Sequence, residues 1–188
     1  MKNKLQSLRL ALSEHLLAGF IQPVHDEYMS EYPPASNRRV EWLTGFSGSA
    51  GTVVVTRDQA AFFTDGRYTL QAANEVDGKC FAQHNSGTKS PDAWIADMLA
   101  PGDRVGYDPK LTTRDMLTRM KKTLDKKAIE LVPVANLIDD RWQDQPEAPA
   151  SKLFIHETQY AGEEPASRRA RIAELVKKSG ADACVIAA

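Results

Sequence analysis

A chain of 188 residues with 42% hydrophobic and 26% charged side chains has a core-forming composition, which excludes a disordered polymer. Lysine plus arginine number 24 against 25 for aspartate plus glutamate, a net charge of -1, so no global field draws the chain to nucleic acid or an anionic membrane. No 18 apolar residues run together, which excludes a helical membrane span, and the distant Cys80 and Cys184 suit a reducing compartment, the cytoplasm, better than a disulfide scaffold.

Met1-Lys2-Asn3-Lys4 could open a signal peptide, but Arg9, Glu14 and His15 interrupt the apolar stretch such a peptide needs, so a mature N-terminus is expected. Leu5, Leu8, Leu12 and Leu16 recur at three and four residues and predict an amphipathic helix, stopped by Gly19 and followed by a short strand through Phe20-Ile21 to Pro23. His25 to Asn37 is polar and holds Pro33-Pro34, hence a long loop. Arg38 to Leu43 predicts a short helix, then comes the glycine-rich run Gly45 to Gly51. Thr52–Thr56 and Ala60–Thr64, parted by Arg57-Asp58-Gln59, predict a hairpin and so a mixed sheet.

A helix is expected past Asp65-Gly66 to about Val76, and a strand near Cys80 to Gln83. Ser90-Pro91-Asp92 has the order of N-cap, first helical residue and first-turn acid, ahead of Trp94, Ile95, Met98 and Leu99. Pro101-Gly102 ends that helix, Val105-Gly106-Tyr107 predicts a strand, Thr112 with Asp115 resembles a capping box, and Ile129 to Val134 predicts the last strand. The alternation predicts a layered α/β/α domain over 1–142 with a mixed sheet covered on both faces.

Residues 143–151 have almost nothing to bury and are expected to be a linker. From 152 to 188 come strand-like Leu153-Phe154-Ile155, a helix through Ile172, Leu175 and Val176, and strand-like Ala183 to Ile186. This is too little to close a core, since chains below about 40 residues usually need outside support. An amphipathic helix, a glycine (Gly19, Gly180) and a short apolar strand occur in both halves, so the segment is expected to open a second, incomplete domain of the same kind.

The glycine run admits three readings. A phosphate cradle would need Lys-Ser or Lys-Thr after the last glycine, or a following helix, and a valine-rich strand follows instead. A serine nucleophile at Ser47 or Ser49 would need a strand-to-helix elbow, and the order here is turn to strand. The third is a tight strand entry in which glycine permits positive φ and close backbone approach. His15, His25, His84 and His156 are scattered, and only His25-Asp26-Glu27 with Glu31 gathers metal-ligand or acid/base types, in a polar loop where such side chains commonly face water.

Asp26-Glu27-Tyr28-Met29-Ser30-Glu31-Tyr32, Arg38-Arg39, Trp42 through Thr52, Thr64-Asp65-Gly66-Arg67-Tyr68 through Gln71-Ala72, Val105 through Pro109, and Asn136-Leu137-Ile138-Asp139 with Trp142 occur in order. Together they resemble the N-terminal domain of Xaa-Pro aminopeptidases of the creatinase/prolidase superfamily, in the long form with two such domains before the catalytic one. Tyr28 stands where the family pattern has histidine. The resemblance implies that this soluble chain is a non-catalytic portion of an enzyme that removes the N-terminal residue from peptides with proline second. It places two divalent ions, manganese, in a C-terminal domain absent here, so no catalytic or metal residue is assigned on this chain. It further implies a homo-oligomer and a part contributing assembly contacts and a wall at the substrate entrance. A non-enzymatic, peptidase-like interaction domain is the alternative.

Arg67 is the one expected substrate-binding residue. It lies between an apolar strand and a helix, where open α/β sheets place binding groups. A cation at a helix start is opposed by the macrodipole by about 0.3–1 kcal/mol, and the resemblance includes this motif. The competing reading is a surface pair with Asp65, worth about 0–1 kcal/mol.

Overall fold

In the computed structural model, residues 2–186 are described; Met1 and the last two residues of the expected second segment lie outside them. Six strands, β1 (Gly19–Pro23), β2 (Thr52–Thr56), β3 (Ala60–Thr64), β4 (Ala82–Asn85), β5 (Arg104–Tyr107) and β6 (Glu130–Pro133), form one mixed sheet in the order β4-β3-β2-β1-β5-β6. β2 runs antiparallel to both β1 and β3, whereas β1–β5, β5–β6 and β3–β4 are parallel. Five strands therefore end, and β2 begins, on the same edge of the sheet.

Alternation along the strands sends neighbouring residues into two cores. Phe20, Val53, Val55 and Phe62 pack with Leu5, Leu8 and Leu12 of helix α1 (Lys2–Glu14), Val40 and Leu43 of α2 (Arg39–Thr44), and Ala72 of α3 (Thr69–Glu75). On the opposite face Ile21, Val54, Ala61 and Phe63 meet Trp94 and Ile95 of α4 (Pro91–Met98) and Leu124 of α5 (Arg114–Leu124). Each fully buried side chain of this size contributes about 1.5–3 kcal/mol. The α/β layering expected from the alternation is what the chain adopts.

Several boundaries differ. Leu16, at φ 53°, takes the left-handed position after α1, with the Leu17 amide donating to the Leu12 carbonyl. Gly19 serves close packing instead, because a Cβ there would stand 3.2 Å from the Val55 carbonyl oxygen. β4 starts two residues later than expected, at Ala82, since the Cys80 and Phe81 amides both donate to the Asp77 carbonyl in a turn. α5 is capped by Thr113, whose Oγ1 accepts from the Met116 amide, while the Thr112 hydroxyl is turned back to the Asp108 carbonyl. The Ser90 cap is as expected, accepting from the Ala93 amide at 3.4 Å.

The chain divides into two units, 1–148 and 149–188. The second holds α6 (Thr158–Ala161) and α7 (Pro165–Lys178). Leu153–Ile155 and Ala183–Ile186 are not strands: no partner backbone pairs with them among the described residues, and β-branched sequence makes a strand only when a ladder completes it. Among the described residues no helix is long and apolar enough to cross a membrane.

Candidate functional site

Because five strands end on one edge, the loops after β1, β3, β5 and β6 and the glycine run before β2 converge there. The first loop is built on Asp26, which is 1% exposed. Its Oδ1 accepts from the Tyr28 amide at 3.0 Å and the Ser30 amide at 2.9 Å. Burial raises the Asp26 pKa, but these hydrogen bonds from Ser30 and Tyr28 outweigh it and hold the carboxyl below its ordinary value. The turn forces Met29 to φ 58°, and Tyr28, Met29 and Tyr32 are left exposed. His25 engages the Leu111 carbonyl at 2.8 Å through Nε2, and Glu27 accepts from Asn37. The His25, Asp26, Glu27 and Glu31 cluster is thus engaged largely in shaping the loop.

The glycine run follows the strand-entry reading. Gly45 caps α2 at φ 81°, and a Cβ on Gly48 would lie 2.4 Å from Phe46 Cζ and 2.8 Å from Tyr68 Cδ1. The Ser49 hydroxyl lies 2.8 Å from the Tyr68 hydroxyl, and the Ser47 hydroxyl and amide donate to Glu75, with Gln71 bracing both. Neither serine bonds a histidine among the described residues. A small crevice of about 80 Å³ opens between Tyr32-Pro33 and Phe46 to Ser49, with Glu31 and Arg38 on its wall.

Arg67 stands at this edge with 68% of its side chain exposed. Its Nε donates to Asp65 Oδ1 at 3.0 Å and its Nη2 to Asp65 Oδ2 at 2.8 Å, while its amide donates to Oδ1. The guanidinium lies 5.3 Å from the Tyr68 ring centroid. The Arg67 hydrogen bonds, side chain foremost, hold the Asp65 carboxyl below its ordinary pKa, and Asp65 in turn raises that of Arg67. The pairing competing with substrate binding is therefore present, and it occupies two of the three guanidinium nitrogens.

Two further pairings hold the edge together. Arg39, 8% exposed, makes a two-point bond to Asp139 at 2.7 and 2.9 Å, and Gln145 ties the same carboxylate to the Ser36 carbonyl. Arg39 Nη1 is buried without a partner among the described residues. Buried Asn136 donates to Gln22 and Asp108 and accepts from the Ile138 amide, linking the ends of β1 and β5 to the loop after β6. No spacing rule finds these partners, since Arg39 and Asp139 are 100 residues apart. For Gln22 and Asn136 the local signal is an amide set among apolar residues, whereas Arg39 and Asp139 lie in charged surroundings that give none.

The sequence profile of the creatinase/prolidase N-terminal domain family matches residues 4–141, well over half of the chain. The chain belongs to this family. It is 39% identical over 190 residues to aminopeptidase P2 of Arabidopsis thaliana, covering 97% of this chain and 27% of that protein. To Xaa-Pro aminopeptidase 1 of Dictyostelium discoideum it is 32% identical over 199 residues, covering 100% of this chain and 32% of the relative. It thus spans about a quarter to a third of the length of the relatives it matches. The X-prolyl aminopeptidase of Caenorhabditis elegans, described as a cytosolic enzyme with a di-nuclear active site, superposes with a TM-score of 0.85 at 29% identity, over 96% of this chain and 31% of that one.

The residues of this creatinase/prolidase N-terminal domain do not fit a di-nuclear metal centre. Among the described residues no three histidine, cysteine or carboxylate side chains gather as ligands. The Asp26, Asp65, Asp108 and Asp139 carboxylates already accept from protein donors. What the edge offers is a set of hydrogen-bonded loops presenting aromatic side chains and, among the described residues, the exposed guanidinium groups of Arg38 and Arg67.

Proposed function

We propose that the chain is the non-catalytic N-terminal portion of a metal-dependent Xaa-Pro aminopeptidase acting on peptides with proline second. In this reading the carboxyl edge contributes assembly contacts in a homo-oligomer and a wall at the substrate entrance, with Arg67 on the substrate side. One observation carries it: the segments on which the family resemblance rests converge on a single edge, where Arg67 stays exposed. The Asp65 pair fixes the fork in direction, and Nη1 remains able to donate to a peptide carbonyl or carboxylate. The metal ions, manganese by the family resemblance, belong to residues outside this chain, and residues 152–188 open a second domain of the same kind after the linker at 143–151. The cytoplasm is the expected compartment, since the similar C. elegans enzyme is described as cytosolic.

The test is Arg67→Ala in the full-length protein, with kcat/KM on a dipeptide and a longer Xaa-Pro peptide alongside thermal stability. Loss of a charge-assisted hydrogen bond of about 1.5–3 kcal/mol lowers kcat/KM about 10- to 150-fold. Unchanged kinetics on both substrates, or a loss accounted for by unfolding, would leave Arg67 a structural residue.

A further inference from the structure

Two Asp-Gly dipeptides, Asp65-Gly66 and Asp77-Gly78, sit in turns of similar design but differ in what holds the carboxylate. At Asp77, Oδ1 accepts from the Lys79 amide at 2.9 Å, and among the described residues Oδ2 meets the Cys80 thiol alone, at 3.4 Å. At Asp65 the same amide contact, from Arg67, is joined by a guanidinium that takes both oxygens. Neither glycine is shielded: a Cβ on Gly78 would meet nothing within 4 Å, and one on Gly66 only Asn85 Nδ2 at 4.0 Å.

We propose that Asp65-Gly66 is a latent self-modification site, able to isomerise to isoaspartate through a cyclic imide, and that the Arg67 fork keeps it closed. In the reaction the Gly66 amide nitrogen attacks Asp65 Cγ. The new N–Cγ bond closes a five-membered imide, and the carboxyl hydroxyl leaves with the amide proton as water. Water then adds to either imide carbonyl. Opening at Cγ restores aspartate, and opening at the main-chain carbonyl breaks its bond to nitrogen and runs the backbone through Cγ. One water leaves and one returns, with no oxidant or reductant.

The step needs a protonated carboxyl free to swing towards the next amide. Arg67 denies both: it stabilises the ionised form and aims the oxygens past Gly66 to residue 67. Asp77 has its oxygens turned forward by weaker, neutral donors and lacks the clamp. Neither Gly66 nor Gly78 has positive φ, so neither turn relies on a conformation closed to other residues. The proposal does not depend on a substrate role for Arg67.

The experiment incubates the 188-residue chain at mildly acidic pH in heavy-oxygen water and follows isoaspartate at both dipeptides by peptide mapping. In the unmodified chain, label is expected at Asp77 well before Asp65. Arg67→Ala raises the rate at Asp65 by about tenfold for each pKa unit the carboxyl recovers, with Asp77 unchanged, and adding Gly66→Ala suppresses it again. Asp77 is the internal reference: a variant that merely unfolds speeds both sites. In that case Arg67→Lys, which keeps the charge and loses the fork, takes its place. Equal rates at the two sites in the unmodified chain, or no selective rise at Asp65 in either variant, would overturn the proposal.

Discussion

Helices α1 and α7 carry the same kind of sequence, with leucine, isoleucine and valine at three- and four-residue spacing, yet their fates differ. Leu5, Leu8 and Leu12 of α1 are at most 4% exposed, whereas Ile172 and Leu175 of α7 are 37% and 59% exposed. Both segments form helices, so the periodic pattern suffices for local structure. Burial requires a sheet to receive the apolar stripe, and among the described residues all the strands lie in the first unit. Amphipathicity thus states what a helix must find, and the surrounding fold decides whether it finds it.

The difference is most directly exposed by limited proteolysis. Cleavage is expected first between Pro146 and Ser151, beyond the point where Gln145 is anchored to Ser36 and Asp139, and then within α7. Local opening should be nearly free in the second unit and should approach global unfolding in the first, a gap of several kcal/mol and of orders of magnitude in cutting rate. Equal protection of both units would show that α7 has found a surface in solution.

A paired substitution puts a smaller figure on the same contrast. Leu12→Ala removes a fully buried side chain from the larger core and should cost about 2–5 kcal/mol. Leu175→Ala, on a stripe open to solvent, should change stability by no more than about 0.5 kcal/mol. Urea unfolding of both variants checks this. A cost of Leu175→Ala comparable with that of Leu12→Ala would break the comparison.

What the sequence disclosed divides along the same line. The leucine stripe of α1, the β2–β3 hairpin and the Ser90 cap rest on contacts within a few residues, and their pattern is visible locally. That Gly19 serves close packing, with the helix already ended at Leu16, could not be read, because its neighbour, the Val55 carbonyl, is brought up from across the sheet. The strands expected at 153–155 and 183–186 failed because a strand is a property of a pair. At the candidate site, the strand, Asp-Gly and helix order placed Arg67 at the carboxyl edge, and Asp65 was a nameable partner two residues away. The Glu75 anchor for Ser47 and the Arg39–Asp139 bond were hidden, since each joins residues that only the fold brings together.

The smallest expected effect lies inside the first unit, at His84 on the edge strand β4. Its ring stacks on Phe63 at 5.1 Å between centroids, and its Nε2 is buried without a partner among the described residues. Burial, then the nearby Lys89, lowers its pKa below the ordinary 6.5. Between the unfolded and folded pKa values the unfolded chain therefore binds more protons, so stability rises with pH across that window. The contribution is fully present above about 6.5, the unfolded value, and is lost as pH falls from there through the folded pKa. Asp26, Asp65 and Asp77, whose pKa values are also lowered, lose their contributions only below about 4, the ordinary aspartate value, so the two windows separate. His84→Phe keeps a ring against Phe63 and removes the titration. The unmodified chain should lose Tm between pH 7.5 and 5.5 while the variant holds nearly constant, and parallel slopes in the two proteins would assign the pH dependence to another group.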